Sequence, residues 1–208
     1  DNSQRGCDHG PQCSLRAILG KALLEQAMNS PMLADYLHTL PFDEIGVPEY
    51  YPKLTRDMTD MDEHNVIYPT AEGGLYIHLY PDLHGARDRY IPIEPNLTVD
   101  LAAITPQVET RLLDWVEVIG AAVTIDDKRA ALLQAIDASV SLNGTPNRVK
   151  VTPRELEALK YVLVRDKVGF ALLAPMLLDK YIEDISCSGI GHIFIEHKIF
   201  KSLEAAIT

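Results

Sequence analysis

Apolar residues recur at helical spacing in the first forty positions and then at alternate positions. Ser14 stands ahead of Leu15, Ile18, Leu19, Ala22, Leu23 and Met28, one stripe of an amphipathic helix that Ser14 would cap. Ser30-Pro31 opens a second, shorter helix, because proline at the first helical position gives up no hydrogen bond. That helix buries Leu33, Tyr36, Leu37 and Leu40 and stops at Pro41, so the pair forms a helical hairpin. Periodicity is lost from Phe42 to His64, where Pro48, Tyr50, Tyr51 and Pro52 suggest an extended arm. It returns with period two in Val66 to Tyr68, Leu75 to Tyr80 and Tyr90 to Ile93, a three-stranded antiparallel meander. Both alternating sets of the middle strand are bulky (Leu75, Ile77, Leu79 against Tyr76, His78, Tyr80), so one face packs on helices and the other is at least partly covered. His78 and His84 read most simply as surface or satisfied core histidines.

Helical spacing resumes at Thr105-Pro106 and runs to about Ile119, with Leu112, Leu113, Val116 and Ile119 expected inside and Trp115 half-buried. Asp126 or Asp127 opens the next helix, carrying Ala131, Leu132, Ala135 and Ile136, which ends at Asn143-Gly144. Residues 144–151, with Gly144, Pro146, Arg148 and Lys150, read as a linker. Thr152-Pro153-Arg154-Glu155 then joins proline at the first helical position to a capping box. Leu156, Leu159 and Val162 or Leu163 form the buried face of that helix, and Gly169 is placed to end it as a left-handed residue. Phe170 to Leu178 is apolar and broken by Pro175; Ile182 to Ser186 and Ile193 to His197 alternate around Ser188-Gly189-Ile190-Gly191 and predict a β-hairpin. Ile182, Ile185, Ile193 and Ile195 are its expected buried side chains. The fold class is therefore α+β: a helical N-terminal part, a three-stranded meander, a helical middle and a small α/β unit ending in a hairpin. The expected divisions are a leader over 1–13, a first domain over 14–143, the linker, and an α/β unit over 152–208.

Composition changes this picture little. Apolar residues make up 47% and charged ones 24%, an ordinary globular balance. A formal charge of −11 argues against a non-specific nucleic-acid or anionic-membrane surface, so no nucleic-acid partner is expected. No apolar run reaches the length of a spanning helix, which predicts a soluble, cytoplasmic chain that meets a membrane only through partners. Three cysteines suit a reducing compartment. Cys7, His9 and Cys13 form C-x-H-x-x-x-C, a candidate metal cluster, but zinc wants four ligands and no second pair exists, so an unstructured terminus is the simpler reading. The carboxylates of Asp57 to Glu63 fail the calcium-loop pattern and read as a solvated acidic connection. Glu183 and Asp184 are neighbours in a strand and point to opposite faces, so they make no acid/base pair.

The closing stretch has a further property. The run from Arg165-Asp166 through Gly169-Phe170, then Pro175, Asp179 and Tyr181, IEDISC (182–187), and His197-Lys198 with Phe200, resembles the N-terminal region of archaeal type II/IV secretion system ATPases, the motors of pili and archaella. The likeness returns in NVIYP (65–69), LYIHLYPD (75–82) and RYIPIEP (89–95). It covers about a third of the chain.

The resemblance implies a non-catalytic docking and regulatory region of a cytoplasmic motor, cut before its ATPase domain. Its partners would be that ATPase domain, neighbouring subunits of a hexameric ring and a membrane platform protein. ATP and magnesium would belong to the parent protein, with no cofactor held here. Consistent with that, no G-x-x-x-x-G-K-[ST] phosphate loop occurs; the one Gly-Lys pair, Gly20-Lys21, is followed by Ala22. Arg165 is the site candidate, either at a subunit or nucleotide interface or in a salt bridge with Asp166 or Glu183. Where the family commonly carries a basic residue, this chain has Ala171-Leu172-Leu173. A free-standing adaptor of the same machinery is the alternative, and a phosphate loop encoded beyond Thr208 would separate the two.

Overall fold

The computed structural model describes residues 13–61, 64–71, 74–83, 87–187, 189 and 191–206. In chain order the elements are α1 (Leu15–Ile18), α2 (Lys21–Asn29), α3 (Pro31–Thr39), α4 (Phe42–Ile45), β1 (Glu49–Tyr50), β2 (Val66–Pro69), β3 (Tyr76–Tyr80) and β4 (Arg89–Ile93). They continue as α5 (Thr105–Leu112), α6 (Val116–Ala121), α7 (Ile125–Ser139), β5 (Val140–Ser141), β6 (Val149–Lys150), α8 (Pro153–Lys167), α9 (Ala174–Leu177), β7 (Ile182–Cys187), β8 (Ile193–His197) and β9 (Lys201–Ala205). The class is α+β. The chain forms two compact units, one of residues 1–94 with 175–208 and one of residues 95–174.

The first unit is built on a seven-stranded mixed sheet of order β1-β2-β3-β4-β9-β8-β7. The expected meander is present, with Val66 opposite Leu79 and Tyr90 opposite Leu79 on the other side. The closing hairpin belongs to the same sheet, because β9 pairs in parallel with β4 (Tyr90 opposite Ala205) and antiparallel with β8 (Ile195 opposite Leu203). Sequence reading missed β9: its Lys201-Ser202-Leu203-Glu204-Ala205 has little intrinsic strand preference and is ordered by its two neighbours. One sheet face carries Val66, Tyr68, Ile77, Leu79, Tyr90, Ile195, Leu203 and Ala205, packed with Leu54, Met58, Met176, Tyr181, Ile199 and Phe200. On the opposite face of β2–β4, Tyr36 of α3 bonds His78 and Tyr76 bonds Gln26 of α2, so the helices cover it.

Ser30 accepts from the Leu33 amide at 3.4 Å, and Leu33, Ala34, Tyr36 and Leu37 are buried as the α3 stripe requires. The helix expected from Leu15 to Met28 is instead two. Leu19 and Gly20 are extended, and Gly20, a weak helix former, becomes the N-cap of α2. Of the four hairpin isoleucines, Ile195 is fully buried while Ile182, Ile185 and Ile193 are half-buried.

In the second unit, Val108, Leu112, Leu132, Ala135, Ile136, Leu159 and Leu163 form one aliphatic core. Thr152 accepts from the Glu155 amide at 3.3 Å and Glu155 accepts from the Thr152 amide at 2.7 Å, the reciprocal cap expected from sequence. Thr124 and Asp127 form a second one. Leu113 and Val116 are exposed, against expectation: a 3-10 turn at Leu113–Trp115 tightens the helix and rotates its apolar stripe. Residues 144–151 lie within this unit, where β6 pairs in parallel with β5 and Val149 and Val151 are buried. Gly169 is not left-handed, as expected of it, but a side chain there would meet the Arg165 carbonyl oxygen at 2.9 Å, so the glycine answers to close backbone approach at the end of α8.

Candidate functional site

The densest set of chemistry-bearing side chains lies inside the sheet unit. Period-two alternation turns Tyr68 of β2 and Tyr90 of β4 to the same face. The turn after α9 brings Asp179 beneath them. Tyr68 donates to Asp179 Oδ2 at 2.6 Å and Tyr90 donates to the same oxygen at 2.9 Å. The Tyr181 amide donates to Asp179 Oδ1 at 2.9 Å. His197 Nδ1 faces the amides of Ile199 and Phe200, each at 3.2 Å, so it is the acceptor and Nε2 carries the hydrogen. Nε2 lies 3.3 Å from the Tyr68 hydroxyl, which can accept from it while donating to Asp179. Tyr181 stacks on His197 and its hydroxyl meets the Leu54 amide at 2.9 Å.

Burial decides what this cluster can do. Tyr68 and Tyr90 are fully buried, and desolvation first, then Tyr90 and Asp179 beside Tyr68 and Asp179 beside Tyr90, push both phenols well above their ordinary pKa. Desolvation, helped by Lys198 and His64, lowers His197 to about 4. The phenols and the imidazole are therefore neutral at pH 7 and enclosed, an arrangement that locks strands together rather than one that exchanges protons with a substrate. Tyr68, Tyr90, Asp179, Tyr181 and His197 all fall in the stretches that carry the resemblance. Their common destination could not be read from the string, since the side-chain to side-chain bonds that join them span 89 to 129 residues.

A second buried chain runs on the opposite sheet face. Asn65 Nδ2 donates to the Ile45 carbonyl, leaving Asn65 Oδ1 to accept from His78 Nε2 at 2.9 Å, and His78 Nδ1 then accepts from Tyr36 at 2.7 Å. Burial pushes His78 down to about 3 and Tyr36 up. His78 is thus a satisfied core histidine; His84 lies outside the described residues. His64 Nδ1 meets Asp88 Oδ2 at 2.6 Å, with its ring edge against Phe200. Its buried Nε2 has no hydrogen-bond partner among the described residues.

Arg165 is buried, its Nε donating to Asp166 Oδ1 at 2.8 Å and its guanidinium over the Tyr161 ring at 5.8 Å. Asp166 is thus its salt-bridge partner at the end of α8. Cys7 and His9 lie outside the described residues, and Cys13 is buried with Sγ 3.4 Å from His38 Nε2. Among the described residues no group of three His, Cys, Asp or Glu could hold a metal ion, and no helix is long and apolar enough to cross a membrane. Asp57 and Asp60 sit in a 3-10 turn, Arg56–Asp60, while Asp62 and Glu63 lie outside the described residues. Hydrogen bonds from Thr55 and from its own backbone hold the Asp57 carboxyl below its usual pKa.

The helical unit has a different surface feature. Leu113, Val116, Val118, Val123 and Ile125 are 52–91% exposed within thirteen residues. Isolated exposed aliphatics are ordinary, and five within thirteen residues are a concentration of them.

No family model matches the chain. It is similar to an uncharacterized protein of Methanocaldococcus jannaschii, 25% identical over 207 residues that cover 92% of this chain and 37% of the relative. The chain thus spans little more than a third of that protein's length.

Proposed function

We propose that this chain is the non-catalytic amino-terminal docking and regulatory region of a cytoplasmic secretion-type ATPase that powers pilus, archaellum or protein-export assembly. The observation that carries the reading is the Asp179 network. The separate stretches that resemble such motors supply Tyr68, Tyr90, Asp179, Tyr181 and His197 to one hydrogen-bonded core. A likeness confined to unrelated surface positions would have no such common purpose. Similarity to 37% of a longer archaeal protein agrees with a region that works beside other domains.

In this role the sheet unit is a rigid body moved by nucleotide turnover elsewhere. The helical unit, with its exposed aliphatic residues 113–125, offers a surface to the membrane platform protein or to the next subunit of a hexameric ring. ATP and magnesium act in the parent protein, and membrane association is peripheral, through those partners. Phosphoryl transfer needs positioned amides, a lysine and a metal ion, and no phosphate loop is present in these 208 residues.

The test is to read the gene beyond Thr208 and to assay the encoded protein. A phosphate loop downstream, nucleotide-dependent hexamers and ATP turnover by the longer protein but not by this chain are expected. A stop codon at Thr208, or turnover by this chain that survives repurification, would remove the reading.

A further inference from the structure

The seven-stranded sheet ends on β7, whose outer edge pairs with no other described strand. β7 is six residues long, and after the irregularity at Ile182/Asp184 it runs in regular register with β8 through Ile185–Ile195, Ser186–Phe194 and Cys187–Ile193. Such an edge presents backbone donors and acceptors to an incoming strand.

Two features say which strand fits. On the outer face, Asp184 stands directly opposite Glu196, and both are exposed. Like charges in a cross-strand pair destabilise a sheet. Among the described residues neither carboxylate has a cation or a hydrogen-bond donor, and Glu183 beside them adds a third charge; Glu204, further in, is occupied by His192 at 2.6 Å. On the inner face, Ile185 and Ile182 are only half-buried where the core reaches the end of the sheet.

We propose that β7 is a docking edge for an extended segment of a partner protein that alternates apolar and basic residues. Added about 4.8 Å outside β7, such a strand sends successive side chains to opposite faces. A Lys or Arg lies beside Asp184, with reach toward Glu196, and its neighbour, a branched apolar residue, covers Ile185. A second copy of this chain is the wrong occupant, since it would bring Glu183 and Asp184 against their own kind on a molecule of net charge −11. β7 takes such a strand whether or not an ATPase domain follows, so its fate is separate from that of the secretion reading.

The probe is a capped peptide of alternating Val and Lys, added to the full chain while β7 amide exchange is followed. Alternate β7 amides should exchange at least about tenfold more slowly at saturating peptide. The Val-Glu peptide, and a Val-Lys peptide N-methylated along one edge, should leave exchange unchanged. Asp184→Lys, at an exposed position, should abolish the protection without altering the circular dichroism of the chain. Lack of β7 protection by the Val-Lys peptide would overturn the proposal. So would equal protection by the N-methylated peptide, which would mark a purely ionic contact, or concentration-dependent self-association that protects β7 without peptide.

Discussion

In the sheet unit, buried tyrosines, histidines and an aspartate bond to one another inside the apolar core, whereas the buried residues of 95–174 are aliphatic apart from a few such as Ser139 and Arg165. Polar organisation in that second unit sits at helix ends, in the caps at Thr124 and Thr152. The difference follows from topology. Helices make their hydrogen bonds locally, so caps and a stripe suffice to place them. A mixed sheet joins segments distant in sequence, and an apolar face alone tolerates repacking and register change. A satisfied polar network accepts one arrangement only, because every other leaves a buried donor or acceptor without a partner.

The histidines offer the largest way to separate the two units. All seven lie outside residues 95–174. His78 and His197 have folded pKa values lowered by burial to about 3 and about 4 from 6.5. Because the folded values are depressed, the unfolded chain takes up protons first as pH falls. The stability these groups contribute is complete above about 6.5 and is lost on the way down to their folded values. At roughly 1.4 kcal/mol per unit, the two together should cost the sheet unit about 6 kcal/mol by pH 4. Amide exchange between pH 7 and 4 should show the sheet unit opening first; simultaneous opening would break the contrast.

Next in size is Asp179→Ala, which leaves two buried phenol hydroxyls and the Tyr181 amide without their acceptor. It should cost about 3–5 kcal/mol in urea unfolding, as removal of one member of a buried network does. A loss below about 1 kcal/mol would mean that packing, not the network, specifies the sheet. Thr152→Ala, at the cap of α8, should cost only about 1 kcal/mol and should act on the helical unit. Val123→Ser, at a 91% exposed position, should change stability by less than about 0.5 kcal/mol. If the surface over 113–125 is a partner site, the same substitution weakens capture of that partner, which makes stability and binding separable there.

Much of the local structure was legible. The capping box at Thr152, the proline starts of α3 and α5, the meander and the β7–β8 hairpin follow from residues a few positions apart. The misses share a cause. Gly20 breaks a stripe that counting by 3.6 carries straight through, and the Leu113–Trp115 turn shifts the phase of another, so Leu113 and Val116 face solvent. Residues 144–151 have the composition of a linker, yet Val149 and Val151 are held in the core by pairing with Val140 and Ser141. Of the site, Asp179, Tyr181 and His197 stood out within a motif, but Tyr68 and Tyr90 looked like ordinary strand aromatics.

By itself, then, the amino-acid order determined the class of each segment, because helix caps, proline positions and side-chain alternation act over one or two turns of chain. It also determined that no phosphate loop lies within these residues. Only the tertiary structure decided that the meander and the closing hairpin are one sheet, through the parallel pairing of β4 with β9. That pairing carries Tyr90 to the oxygen of Asp179, 89 residues away, and Tyr68 to His197. A hydrogen bond depends on distance and angle in space, and no spacing along the chain encodes either across such a separation.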